Sequence, residues 1–374
     1  MSEFLPFEME RMMSEWENVV EYNLSESGVH PMSVRELLGD DPEGVARLLD
    51  TELNYAQANG EMPLREAIAA LYPGATPDNV LVTVGAAEAN YLALHTLVDP
   101  GDQVVIMLPN YMQVWGIAKN HGLRVKSFRL LEEDGWAPDL AELDAVVTAQ
   151  TRLIAVCNPN NPTGRIMTQA EMAAVVAAAE RVGAWILADE VYSGAERLSD
   201  DQTPSFFGRY DKVVGTGSLS KAYGLPGLRI GWAVGPRETM DAMWMRHEYT
   251  TISSAMMANR LAALALSPEV RPRILKRTRD YIRTGYPVFE AWMRPHGNTF
   301  DLEPPQAAAI AFVRYGLDIN STELVNRIRE EKNVLIVPGD HFGLDHYLRI
   351  SFGLPHAYLT AALDRIHEVI DELS

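Results

Sequence analysis

Lys221 lies in GTGSLSKAYGLPGLRIGW, residues 215–232, between a hydroxyl-rich turn and a glycine-rich one, with Arg229 eight positions further on. A lone loop lysine is ordinarily a solvated surface group. Among small residues that let another molecule reach the backbone, it can instead be held neutral and attack a carbonyl. Three other strings share the habit of ending an apolar, β-rich run. GAAEA follows VLVTV, so Gly85 permits a tight turn, and a helix opening at Ala86 and Ala87 aims free N–H groups outward, an arrangement that suits a phosphate. NPNNPTG, residues 158–164, follows LIAVC; two prolines and a glycine fix the backbone and leave Asn158, Asn160 and Asn161 to turn amides into a cleft. DEVYSG follows WILA, and its Asp189 closes a buried run with Tyr192 three residues on. A carboxylate in that position needs a cation or donors nearby.

Each string alone has an ordinary reading as a turn, a helix cap or a local ion pair. Together they ask for one ligand with a phosphate, a protonated ring nitrogen, a phenolic oxygen and an aldehyde that captures an amine. Pyridoxal 5'-phosphate carries all four, and it requires of a protein a Schiff-base lysine, an acidic partner for the pyridinium and a phosphate cup. Gly215 and Gly217 begin a dinucleotide fingerprint, but the third glycine it needs falls on Ser220, and no P-loop, HExxH or GxSxG string occurs.

The elements that must position these groups follow from periodicity. Seven short apolar runs read as strands: 79–84, 103–108, 123–128, 152–157, 184–189, 212–217 and 229–234. Between two of them Met172, Val175, Val176 and Ala179 have the spacing of a helix packed on a sheet. Strands alternating with helices imply an α/β fold whose mostly parallel, seven-stranded sheet is covered on both faces and binds ligands at the carboxyl ends of its strands. After about residue 271 come long charged helices, β-rich runs at 308–315, 333–339 and 347–352, and a last helix with Leu359, Leu363, Ile366, Ile370 and Leu373 on one face. The expected division is a large α/β domain over 41–270 and a smaller α+β domain from 1–40 and 271–374.

Composition narrows the function. The formal net charge of −19 disfavours nucleic acid and anionic membrane as partners. Cys157 is the only cysteine, so the chain has no internal disulfide or thiolate metal cluster, and its place after LIAV reads as a small buried hydrophobe. Neither a signal-peptide pattern nor a run long enough to span a bilayer is present, so the expected setting is cytoplasmic.

In GAAEA, PNY, NNPTG, DEVY, SLSKAYGLPGLRIG and LRIS, in that order over nearly the whole chain, the sequence resembles the fold-type I pyridoxal-phosphate enzymes, specifically the class I/II aminotransferases. The resemblance implies that Lys221 forms the internal aldimine and then shuttles the α-proton, while Asp189 pairs with the pyridinium. Tyr192 and Asn161 would bond the phenolic oxygen and Tyr111 would stack on the ring. Ser218, Arg229 and the N–H groups of Ala86 and Ala87, beside Gly85, would form the phosphate cup. Arg349 would clamp the substrate carboxylate. Tyr55 would reach the phosphate of a neighbouring subunit, implying a homodimer acting on an amino acid and a 2-oxo acid by a ping-pong cycle. The segment YNLSESGVHPM, residues 22–32, departs from the family pattern; Gly28 still offers backbone to the substrate, and His30 borders the pocket or serves the fold. The string SGVH is similar to one in the capreomycidine synthases, family members that run elimination and ring closure on a hydroxylated arginine. This keeps a lyase or cyclase open beside transamination.

Overall fold

The computed structural model describes residues 4–297 and 299–373. All seven expected runs form strands of one sheet. We label them β1 (Val80–Thr83), β2 (Gln103–Leu108), β3 (Arg124–Leu131), β5 (Thr151–Cys157), β6 (Trp185–Asp189), β7 (Val213–Ser218) and β8 (Gly231–Val234); a two-residue edge strand, β4 (Ala137–Pro138), makes eight. Their order is β1-β8-β7-β6-β5-β2-β3-β4. The central pairings β3 with β2, β2 with β5, β5 with β6 and β6 with β7 are parallel, whereas β8 runs antiparallel to both of its neighbours. Strands β5 to β7 are buried along nearly their whole length, as a sheet covered on both faces demands.

The register sets the carboxyl ends side by side, with Cys157 opposite Asp189 and Asp189 opposite Thr216. The loops that leave those ends therefore share one edge. Helix Gln169–Val182 opens with a capping box from Thr168 and Glu171 and stops at Gly183, and its expected stripe of Met172, Val175, Val176 and Ala179 is buried against the sheet.

A second sheet, in the order β9-β10-β12-β11, comprises β9 (Phe300–Asp301), β10 (Ile310–Tyr315), β11 (Val337–Pro338) and β12 (Tyr347–Ser351). Helices Arg271–Met293 and His356–Leu373 accompany it, and Tyr22–Asn23 pairs in parallel with Val334–Leu335, bringing the amino-terminal segment to this sheet. One apolar core is continuous from Leu24 and Trp232 to Ile274 and Leu363. Among the described residues no helix is long and apolar enough to cross a membrane.

Candidate active site

Asp189, the last residue of β6, is 8% exposed and accepts hydrogen bonds from the Asn90 side chain (3.2 Å) and the Val191 N–H (3.2 Å). Asn90 is itself oriented by the Thr216 hydroxyl of β7 at 3.0 Å. Burial raises the Asp189 carboxyl above its ordinary range, and among the described residues no cation stands within ion-pair distance of it. A buried carboxylate supplied with donors but lacking a cation is suited to a cationic ligand. Asn90 carried no signal in the sequence, because its role comes from the third dimension: a helix passing over two strand ends.

Lys221 follows β7 and is partly buried, with its Nζ 3.5 Å from Glu26 Oε2. Gly28 lies against the same turn; a Cβ there would come within 3.1 Å of the Ser220 carbonyl oxygen and 3.6 Å of Lys221 Cα, so this glycine lets two backbones meet.

Arg349, at the centre of β12, is 2% exposed. Its Nη1 donates to Asn161 Oδ1 at 3.0 Å and its Nη2 to the Ser25 carbonyl, while Nε has no partner. Of the three asparagines in NPNNPTG only Asn161 reaches this cleft. Asn158 accepts from the Met167 N–H, and Asn160 bonds Pro109 and Thr163, so both brace the loop rather than face the cleft. The buried Tyr192 donates its hydroxyl to Ser27 Oγ at 2.8 Å, and burial raises its phenol. Tyr111 donates to Glu10 at 2.7 Å and meets Phe7 edge-on, placing helix Glu8–Trp16 over the site. Cys157 is buried and its thiol is pushed up by burial, in keeping with a core role.

The residues expected to form a phosphate cup also converge. Gly85 has φ +77° and opens helix Gly85–Leu97; a Cβ on it would come within 2.5 Å of Arg229 Nη2. Arg229 donates to Ser220 Oγ at 3.4 Å, and Ser218 Oγ accepts from the Ser220 N–H at 3.1 Å. Gly231 leaves room for the Ala86 nitrogen, which a Cβ would approach to 2.3 Å. Ala87 is braced through its carbonyl by Gln113 at 2.9 Å. Glu88 secures the same helix turn: it accepts from the Val84 N–H (2.7 Å) and lies 3.1 Å from His247 Nδ1, and hydrogen bonds from His247 and Thr250 hold its carboxyl down at about 2.

Two expected residues stand apart. His30 is exposed, with its ring 5.9 Å from Tyr281 and no hydrogen bond from that ring to Lys221, Tyr192, Asn161 or Arg349. Tyr55 is 85% exposed and makes no hydrogen bond to the cup of its own chain. Ser25, Glu26 and Ser27, which fall in the segment that departs from the family pattern and carry no individual expectation there, lie at the centre.

The family model for class I and II aminotransferases matches residues 23–366. Capreomycidine synthase from Streptomyces vinaceus is 33% identical over 358 residues, covering 92% of this chain and 89% of that protein. An aspartate aminotransferase from Thermotoga maritima is 27% identical over 339 residues, covering 88% and 86%. The crystal structure of a PLP-dependent aminotransferase from Streptococcus suis superposes with a TM-score of 0.93 at 31% identity, covering 100% of this chain and 99% of that one. The PLP-dependent cyclase OrfR superposes with a TM-score of 0.89 at 27% identity, with the same coverage.

Proposed function

Because the chain belongs to the class I and II aminotransferases, we propose that it moves the amino group of an L-amino acid to a 2-oxo acid, with pyridoxal 5'-phosphate bound beside Lys221. The observation that carries this reading is the convergence of Lys221, Asp189, Tyr192, Asn161 and Arg349 on one strand-end cleft. The donor set fits the cofactor. Gly85 lets the Arg229 guanidinium come close to the first helix turn, a set of donors suited to a phosphate, and Asp189 is a buried carboxylate in need of a cation such as a ring N–H.

When bound, pyridoxal phosphate supplies an aldehyde for an amine and a ring that withdraws electrons from the substrate α-carbon. Asp189 would keep the ring nitrogen protonated. Lys221 Nζ would take the proton from the α-carbon and return it to the cofactor carbon. Arg349, oriented by Asn161 and the Ser25 carbonyl with Nε still without a partner, would fix the α-carboxylate. Tyr192 and Asn161 would bond the phenolic oxygen and Tyr111 would cover the ring. Mixing the protein with the cofactor, reducing with borohydride and mapping the peptide tests the premise, which fails if position 221 stays unlabelled. A screen of amino acids for conversion of bound cofactor to pyridoxamine phosphate tests the reaction.

A second reading, a cyclase or lyase on the same cofactor, is favoured by the capreomycidine synthase likeness and by the carboxylates around Lys221. Burial raises the Glu17 carboxyl above its ordinary range, helped by its acidic neighbours Glu26 and Glu10. These charges would repel the second carboxylate of a dicarboxylic substrate and suit a basic side chain. Elimination or ring-closed products from arginine-like or β-substituted amino acids, without pyridoxamine phosphate, would establish this reading over the first.

The proposal includes a homodimer and the division into 41–270 and 1–40 plus 271–374. In support of the dimer, Leu49 (78%), Leu53 (80%), Tyr55 (85%) and Tyr249 (92%) leave large apolar side chains in solvent.

A further inference from the structure

Ser25, Glu26 and Ser27 are consecutive, and each meets a different group of the site: Arg349, Lys221 and Tyr192 in turn. The strap is pinned on both sides of Glu26. Ser25 is 0% and Ser27 4% exposed, and Gly28 packs on the Lys221 backbone, so the Glu26 carboxylate can leave Lys221 only by rotating its own side chain. Amino-group transfer through a lysine does not by itself require a carboxylate facing the lysine nitrogen.

Resting on the reading of Lys221 as the group that captures the cofactor, we propose that Glu26 is the counter-charge of the nitrogen formed there. When an amine condenses with an aldehyde, the C–O bond breaks, water leaves and a C=N bond forms whose nitrogen can hold one proton. The protonated form is the better electrophile toward an incoming amine. An adjacent carboxylate favours that form, and so extends it to higher pH.

The other charges do not substitute for Glu26. Among the described residues it is the only carboxylate within ion-pair distance of Lys221. Asp189 also feels the Lys221 charge but is directed to Asn90 and Val191. Glu17 is an acidic neighbour of Glu26 outside the Lys221 ion pair, Glu10 is bonded to Tyr111, and Arg349 is a second cation that, like Lys221, favours the charged form of Glu26. Lys221 holds the Glu26 carboxyl below the usual carboxylate range, so it is charged at neutral pH.

The test is spectroscopic. Wild type, Glu26→Gln and Glu26→Asp are loaded with pyridoxal phosphate and their absorbance is followed from about pH 5 to about pH 10, bracketing the transition between protonated and neutral C=N forms. Glu26→Gln should move the transition down by about one pH unit or more, while Glu26→Asp, which keeps the charge, stays nearer wild type. The proposal is overturned if Glu26→Gln titrates with wild type, or if Glu26→Asp shifts as far as Glu26→Gln, since the effect would then belong to the shape of the side chain and not to its charge. Borohydride labelling of position 221 in the same samples separates this failure from that of the underlying reading: unlabelled, colourless wild type would remove both.

Discussion

At the scale of single residues, Arg349 and Asp189 are the groups whose chemistry other side chains cannot reproduce. Arg349 is buried with two of its nitrogens engaged by Asn161 and Ser25 and the third free, an arrangement that depends on a planar fork. Arg349→Lys keeps a charge but loses the fork. It should raise the KM for amino acid by about 10- to 100-fold, equivalent to one or two lost charge-assisted bonds, while the absorbance of bound cofactor is unchanged. Loss of the absorbance band instead would show that Arg349 supports the fold of the cleft more than the substrate. Asp189→Ala makes the converse prediction. Lys221 and the cup remain, so borohydride should still label position 221, but turnover should fall by about a thousandfold or more because no carboxylate holds the ring nitrogen protonated. Near-normal turnover in that variant would remove Asp189 from the mechanism.

At the scale of elements, the strands fix where these groups stand, and one strand end carries an electrostatic cost that can be measured. Glu190, next to Asp189, is 5% exposed and accepts the Phe206 N–H at 2.7 Å, and burial pushes its carboxyl up to about 7. The folded chain then keeps a proton that the unfolded chain has already released, so this residue's contribution to stability falls as pH rises from the ordinary glutamate value of 4.5 toward 7. Glu190→Gln retains an oxygen for Phe206 and has no charge to bury. Its stability should match wild type near the bottom of that window and exceed it at pH 8 by up to about 3 kcal/mol, since a tenfold change in proton affinity is worth about 1.4 kcal/mol. Denaturant melts at both pH values decide the matter, and a gap that does not widen with pH contradicts the argument.

The same scale separates what the sequence made legible from what it did not. Strands β1 to β3 and β5 to β8 and the stripe on Gln169–Val182 could be read because burial imposes a period on neighbouring residues. The strand-end strings could be read because glycine, proline and asparagine mark turns whose place in the sheet follows from the strands before them. Glu26, Ser27, Asn90 and Glu10 gave no such mark. Each reaches the site from 99 or more positions away in the chain, as in the contacts of Ser27 with Tyr192 and Asn90 with Asp189, and no local pattern encodes a partner at that separation. For the same reason Asn158 and Asn160 were indistinguishable from Asn161 until their loop partners were seen.

At the scale of the whole molecule, the exposed side chains bear on how many chains make one working unit. Tyr55, like Leu49, Leu53, Tyr249 and Ile252, holds a large apolar side chain in solvent, and it makes no hydrogen bond to Ser218, Arg229 or the first turn of helix Gly85–Leu97 in its own chain. If it serves a partner's cup, two defective chains should repair one another. Lys221→Ala lacks the capturing amine but carries an intact Tyr55, whereas Tyr55→Ala has the amine but lacks the donor it would offer the other subunit. In a mixed dimer, one of the two sites receives Lys221 from the second chain and Tyr55 from the first, and is therefore wild type. Random reassortment makes half of the dimers mixed, each with one good site, so activity at limiting cofactor should recover to about a quarter of wild type. A mixture that stays at the average of its parents would mean that Tyr55 acts within its own chain or not at all. Native mass spectrometry of the same samples, with one parent isotopically labelled, distinguishes that outcome from a failure to exchange subunits, because only exchanged chains give a dimer of intermediate mass; a monomer would remove the proposed dimer itself.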